Sequence, residues 1–197
     1  MKGYVFVSPG SDPGAGHPLA DPMFRRGVTT MGQCRPDLRR LVRQGDAIFV
    51  LSGKLKAAGV PQYLIGGLSV DQKIDALLAR DRFPERTLQI VDGAKVGNII
   101  VTPTGEQDPL DHHPSRNFKE RIKNYIVAQN AVYLESEKEV DLGRQRTLET
   151  LRQVFGNPGA KSVHEVIGRN RVLDEKQIQM LLDALKAIKS DAGAEAR

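Results

Sequence analysis

Six arginines fall between positions 25 and 43: Arg25, Arg26, Arg35, Arg39, Arg40 and Arg43, with Asp37 the one acid inside that stretch. Guanidinium groups make planar, bidentate contacts to phosphate oxygens or to the edge of guanine, which lysines do not. This density therefore points to capture of a polyanion, and Arg116, in a later loop, is a further candidate for the same contact. Between the arginines lie Thr29, Thr30, Gln33 and Cys34, whose small polar groups suit the edge of an extruded base. The competing reading is a region that satisfies its own backbone just ahead of a helix.

Other reactive residue types are sparse. Asp108, Asp111, His112 and His113 are metal-ligand types, but adjacent histidines point apart and no second cluster completes a shell, so no metal is expected. If that loop acts at all, His113 and Arg116 facing a phosphate is the economical proposal. Gly14-Ala15-Gly16 lacks the Gly-Lys-Ser/Thr sequence of a phosphate loop. Asp12 reads as a loop brace or a polar contact to a ligand, and Asp46 as the residue that fixes its own turn. Cys34 reads as a small buried hydrophobe rather than a nucleophile. Glu165 and His164 have no catalytic partner, and no nucleophile elbow or Ser/His/Asp order is visible. No catalytic residue and no cofactor is assigned.

These residues need elements to hold them. Tyr4-Val5-Phe6-Val7 suits a first strand, and residues 8–22, rich in Pro and Gly, form a long loop. Pro36 opens a short helix whose Leu38, Leu41 and Val42 follow the i, i+3, i+4 spacing, which puts the arginines on its outer face. The Gly45-Asp46 turn leads into Ala47-Ile48-Phe49-Val50-Leu51, an unbroken apolar run covered on both sides, ending at Ser52-Gly53. Tyr63-Leu64-Ile65-Gly66-Gly67-Leu68-Ser69-Val70 is a strand with a bulge or bend at its glycines. Residues 71–80 carry Ile74, Leu77 and Leu78 at helical spacing. Strands follow at Leu88-Gln89-Ile90-Val91 and Asn98-Ile99-Ile100-Val101, with a turn at Asp92-Gly93 between them. A short helix and then a strand are expected over 118–134. Beyond Asp141 the pattern is helical: Leu148, Leu151 and Phe155 mark one helix, stopped by Gly156-Asn157-Pro158-Gly159. Asp174 and Gln177 form a capping box for another, whose face is Ile178, Leu181, Leu182, Leu185 and Ile188. Residues 190–197 read as a frayed tail.

At 197 residues the chain is long enough to bury a core, and its 40% hydrophobic and 27% charged content is that of a globular protein. A net charge of +5 favours an anionic partner. One cysteine excludes an internal disulfide framework and fits a reducing compartment. No apolar run reaches signal-peptide or membrane-span length, so a cytoplasmic location is expected.

Taken in order, Asp12-x-Gly14, Pro22-x-Phe24, TTMGQCRPDLRR (positions 29–40) and Gly45-Asp46 resemble the nucleotide-modification-associated domains of bacteria and phages, in particular the second type. Thr30, Cys34 and Pro36 hold that pattern, whereas Met31 and Gly32 depart from it. GDAIFVLSG, with the strand at Leu64-Ile65-Gly66-Gly67-Leu68-Ser69-Val70, is more loosely similar to EVE and YTH domains of the PUA-like superfamily. The resemblance implies an α+β fold, a small mixed PUA-like β-barrel with flanking helices and a helical C-terminal element. It implies a domain over 1–140 and a C-terminal element over 141–197 packed on it.

The expected function is binding of nucleic acid, or of a nucleotide, that carries a modified base, in a DNA-modification or defence setting. Arg25, Arg26, Arg35, Arg39, Arg40, Arg43 and Arg116 would hold the backbone. Asp12, Thr29, Thr30, Gln33, Cys34, Ser52 and Gly53 would line a base pocket. The alternatives are an enzyme that installs or processes a base modification, and an accessory subunit of a modification or restriction enzyme.

Overall fold

Where apolar residues run unbroken, as from Ala47 to Leu51, the strand must be covered on both faces. The computed structural model, which describes residues 1–55 and 59–194, places that run at the centre of its largest sheet. In chain order the elements are β1 (Gly3–Val7), β2 (Thr29–Met31), α1 (Pro36–Leu41), β3 (Ala47–Leu51), β4 (Leu64–Ser69), β5 (Gln72–Ile74), α2 (Ala76–Arg82), β6 (Gln89–Val91), β7 (Ala94–Val96), α3 (Phe118–Arg121), β8 (Tyr125–Ala128), β9 (Val132–Tyr133), α4 (Glu137–Phe155), α5 (Val163–Ile167), β10 (Asn170–Leu173) and α6 (Glu175–Ala194). Two compact units share them: Met1–Leu19, Gly45–Ser69 and Ala131–Arg197 in the first, Ala20–Gln44 and Val70–Asn130 in the second. This partition does not follow a cut at residue 140.

The first unit is built on a five-stranded sheet of order β10-β1-β3-β4-β9, in which only β1 and β3 run parallel. Phe49 and its neighbours in β3 are fully buried. Gly67 is required beside them, because a Cβ there would lie 2.5 Å from the Phe49 ring. The register irregularity on β4 falls at Ile65, next to the glycine pair. Helices α4 and α6 pack on each other, and α6 also meets β4, β9 and β10. Both begin with reciprocal caps: Ser136 with Glu139 for α4, and Asp174 with Gln177 for α6. Gly156, in the left-handed region, stops α4. Residues 190–194 are helical rather than frayed, and the last three residues lie outside the described ones.

The second unit holds a three-stranded sheet, β2-β8-β5, and a separate two-stranded ribbon, β6-β7. Its core comprises Ala76, Ala79, Ile99, Val101, Tyr125 and Val127. Here the structure corrects several expectations. Residues 72–74 form a strand, and Asp75 caps a helix that starts only at Ala76, its carboxylate accepting from the Leu77 N–H at 2.8 Å. The shorter helix buries Ala76 and Ala79 and leaves Leu77 and Leu78 exposed. The turn at Asp92-Gly93 is present, but the returning strand is Ala94–Val96. Residues 98–101 are buried and make only isolated bridges. Two strands, β8 and β9, follow α3 instead of one.

The fold is mixed α+β. Among the described residues the strands form three separate sheets, the largest edged by β10 and β9, rather than one closed barrel. No helix among them is long and apolar enough to cross a membrane.

Candidate functional site

Thr30, Gln33 and Cys34 come together in the second unit around a residue that the sequence analysis did not single out. Asp21 is buried, and its carboxylate accepts from the backbone N–H groups of Gly32 (3.0 Å), Gln33 (3.0 Å) and Cys34 (2.6 Å) and from Asn98 Nδ2 (2.8 Å). Asn98 Oδ1 in turn accepts from Tyr125 Oη at 2.7 Å and from Thr30 Oγ1 at 3.3 Å. Burial pushes the Asp21 carboxyl up, against the pull of Arg39 and of its N–H donors. Burial likewise pushes the Tyr125 phenol up, and the Cys34 thiol up to about 12, the Asp21 charge adding to the effect on Cys34. The Tyr125 phenol and the Cys34 thiol stay un-ionised near neutrality, so Cys34 is not a nucleophile-ready thiolate.

The arginines divide into two sets. Arg25, Arg26, Arg40, Arg43 and Arg116 are exposed. Arg39 is not: at 0% exposure it turns inward, contrary to its expected place on the outer face of α1. Its Nε donates to the Cys34 carbonyl (2.9 Å), Nη1 to the carbonyls of Lys123 (2.9 Å) and Asn124 (3.2 Å), and Nη2 to that of Arg121 (2.9 Å). Helix α1 is too short for the assumed spacing to hold, so Leu41 is 57% exposed while Leu38, Arg39 and Val42 are buried. Arg39 is withdrawn from the nucleic-acid contacts. Arg35 is half-buried and makes a bidentate pair with Asp37, at 2.8 Å for Nη2.

Two further buried arginines were missed. Arg86 donates to the Val28 carbonyl (2.7 Å), Thr30 Oγ1 (3.1 Å) and the Met23 carbonyl (3.4 Å). Arg121 donates from Nη2 to the Gln33 carbonyl, and its Nε has no hydrogen-bond partner, the one such buried side-chain atom among the described residues. Thr29 Oγ1 accepts from the Arg25 N–H at 3.4 Å. The polar Asn98, opening an otherwise apolar strand candidate, was the one signal that could have exposed this network.

In the later loop of this unit, Asp111 and His113 form a dyad. The Asp111 side chain is fully buried, and its Oδ1 lies 2.5 Å from Nδ1 of His113. Gln107 Nε2 reaches Asp111 Oδ2 (3.0 Å), the Asp111 carbonyl (3.1 Å) and the His113 carbonyl (2.9 Å). Among the described residues no three His, Cys, Asp or Glu come together as metal ligands.

Asp12, Ser52 and Gly53 belong to the first unit. Asp12 is buried and paired with both terminal nitrogens of Arg144, at 2.6 and 3.0 Å. Arg144 also lies over the Tyr63 ring, 4.9 Å from its centroid, and Tyr63 Oη accepts from the Gly14 N–H. Ser52 Oγ accepts from the Tyr63 N–H at 2.9 Å, and the Gly53 N–H donates to the Ser11 carbonyl at 2.7 Å. Asp12 and Gly53 thus fasten the first loop, to α4 and to the chain leaving β3, while Ser52 ties the end of β3 to the start of β4. Asp46 accepts from the Lys2 N–H at 2.8 Å, joining its turn to β1.

No family model matches this chain, and no curated protein is significantly similar to it. Among solved structures, the crystal structure of ASCH from Zymomonas mobilis aligns with 92% of this chain and 94% of its own, at 11% identity and a TM-score of 0.32. A likeness that low supports neither a shared fold nor a shared function.

Proposed function

We propose that this protein binds nucleic acid through the second unit, with Arg25, Arg26, Arg40, Arg43 and Arg116 as backbone contacts. One observation carries the reading: of the formal net charge of +5, the second unit holds +4, with 15 lysines and arginines against 11 acids. The segment 20–44 supplies that excess, with six arginines against Asp21 and Asp37. Asp21 and Arg39 both lie inside, so the outward balance of the segment stays at Arg25, Arg26, Arg35, Arg40 and Arg43 against Asp37. The finer reading, a PUA-like domain that recognises a modified base in a DNA-modification or defence setting, rests on the resemblance of the Thr29 to Arg40 string and of the Gly45-Asp46 turn.

The test is binding of matched duplexes, unmodified and carrying several base modifications, at two salt concentrations. It is run beside an Arg25→Ala/Arg40→Ala double variant. Binding that weakens with salt and in the variant supports the reading, and preference for one modified duplex identifies the ligand. Absence of binding to any duplex at low salt overturns it.

A second reading, an enzyme acting on the base, is favoured by the dyad: a buried carboxylate fixed on Nδ1 leaves Nε2 of His113 to take or give a proton. Turnover of a nucleotide substrate that His113→Gln abolishes, with binding retained, would select it.

A further inference from the structure

The β6-β7 ribbon is a sheet of two strands with every residue from Gln89 to Lys95 exposed, Ile90 and Val91 at 55% and 44%. Burying these apolar side chains would stabilise any complex that covered them. Asp92 and Gly93, with φ of 50° and 78°, form the tight turn that a two-residue hairpin needs. Register sorts the side chains: Gln89, Val91, Ala94 and Val96 share one face, Ile90 and Lys95 the other. The Lys95 face is tied down, its Nζ donating to the Leu110 carbonyl at 3.3 Å. The face with Gln89, Val91 and Ala94 has neither charge nor cover.

The ribbon and the first arginine pair grow from one root. Met23 and Thr30 exchange both backbone hydrogen bonds, closing a loop that carries Arg25 and Arg26. Arg86 clamps that loop from inside through Met23, Val28 and Thr30. The Arg86 carbonyl also accepts the N–H groups of Asn98 (2.9 Å) and Ile99 (3.0 Å), at the foot of β7, and Leu88, at the foot of β6, donates to the Ile99 carbonyl. One buried residue thus fixes a phosphate-seeking loop and a projecting ribbon together.

Resting on the nucleic-acid reading above, we propose that the β6-β7 ribbon is a groove-reading arm for double-stranded DNA. It enters the major groove with Gln89, Val91 and Ala94 against base edges, while Arg25 and Arg26 hold phosphates. The dimensions agree: the rise from Gln89 to Asp92 is about 10 Å at roughly 3.3 Å per residue. The major groove is about 8.5 Å deep and about 12 Å wide and admits a two-stranded ribbon. The chemistry agrees as well. A glutamine amide pairs with adenine N6 and N7, small apolar side chains meet the thymine methyl, and a carboxylate such as Asp92 accepts from cytosine N4. Asp92 and Lys95 cancel in charge, so the ribbon adds selectivity and the arginines add affinity.

The experiment uses the full chain and short duplexes in three forms: native, with thymine replaced by uracil to remove the methyl, and with adenine replaced by 7-deazaadenine to remove N7. Binding by the unmodified protein should fall roughly threefold or more for each altered duplex. A Gln89→Ala/Val91→Ala variant should bind all three alike, with an unchanged salt dependence. Arg25→Ala/Arg26→Ala should bind all of them more weakly while keeping their ranking. If the unmodified protein binds the three duplexes equally, or binds a duplex RNA as well as DNA, the groove assignment fails and the nucleic-acid reading survives, because the A-form major groove is closed to a ribbon. If no duplex binds at low salt, both fail.

Discussion

Arg39 and Arg121 meet head to backbone: Nη2 of Arg39 donates to the carbonyl oxygen of Arg121 at 2.9 Å, across 82 positions of sequence. With its bonds to Cys34, Lys123 and Asn124, the buried guanidinium satisfies four carbonyls of the second unit, one between β2 and α1 and three from the end of α3 to the start of β8. Arg39→Ala should therefore destabilise the protein by about 3 kcal/mol or more, since those acceptors would be buried unpaired. Arg39→Lys should recover little, because one ammonium does not reproduce the planar fork. Arg40→Ala, one residue on and exposed, should change stability by less than about 0.5 kcal/mol. Urea unfolding of the three variants checks this; equal midpoints for Arg39→Ala and Arg40→Ala would refute the structural role.

A second brace is testable in the first unit. Asp12 is buried against Arg144, whose two terminal nitrogens grip its carboxylate. Removing one partner of such a pair leaves an uncompensated charge, so Arg144→Ala should cost about 3 kcal/mol. Asp12→Asn/Arg144→Met, which removes both charges, should cost less than Arg144→Ala alone. The urea midpoints of the two variants give the ordering, and a double variant less stable than the single one would contradict it.

What sequence made legible was whatever one side of an element decides. The buried run of β3 announces itself, and so do the Asp174 and Gln177 cap and the Gly156 stop, because apolar continuity and local hydrogen bonding set them. Strand β10 was not visible: Asn170, Arg171 and Val172 are exposed and exist as a strand only because β1 offers an edge. The candidate site failed in the same way. Arginine density was plain in the sequence, but the direction of each arginine depends on distant carbonyls. Arg39 turns in toward residues 121–124, and Arg86 toward residues 23–30. Asp21 sat in a segment that read only as a proline-rich loop, and nothing local marks it as the acceptor for Asn98.

Cys34 offers a chemical readout of burial. Its thiol pKa is pushed up to about 12 from 9.0 by burial first and by the Asp21 charge second. The folded state holds the proton more tightly than the unfolded chain does. Ionisation therefore costs stability, in a loss that begins as pH rises past 9.0 and continues to about 12. At pH 8 the thiolate population is lowered roughly a thousandfold against an ordinary cysteine, so alkylation by iodoacetamide should be slower in that proportion. In urea the rate should return to that of a free thiol. Fast alkylation of the native protein would show that the thiol is not held as described.

Arg86 separates charge from architecture. Its guanidinium is buried, bonded to Val28, Thr30 and Met23 and paired through Nε with Glu85, so its donors are taken up within the protein. Arg86→Lys keeps the charge but gives up the fork that joins the arginine loop to the root of the ribbon. The variant should be less stable by about 2 kcal/mol. In hydrogen exchange, the Met23 and Thr30 amides, which pair with each other across that loop, should lose protection before the β1 and β3 amides do. Duplex binding should weaken as well, with loss of discrimination between thymine and uracil, although Arg86 touches no DNA. Retained protection at Met23 and Thr30 would mean that the loop holds its shape without the clamp. The common root of arginine loop and ribbon would then have no mechanical meaning.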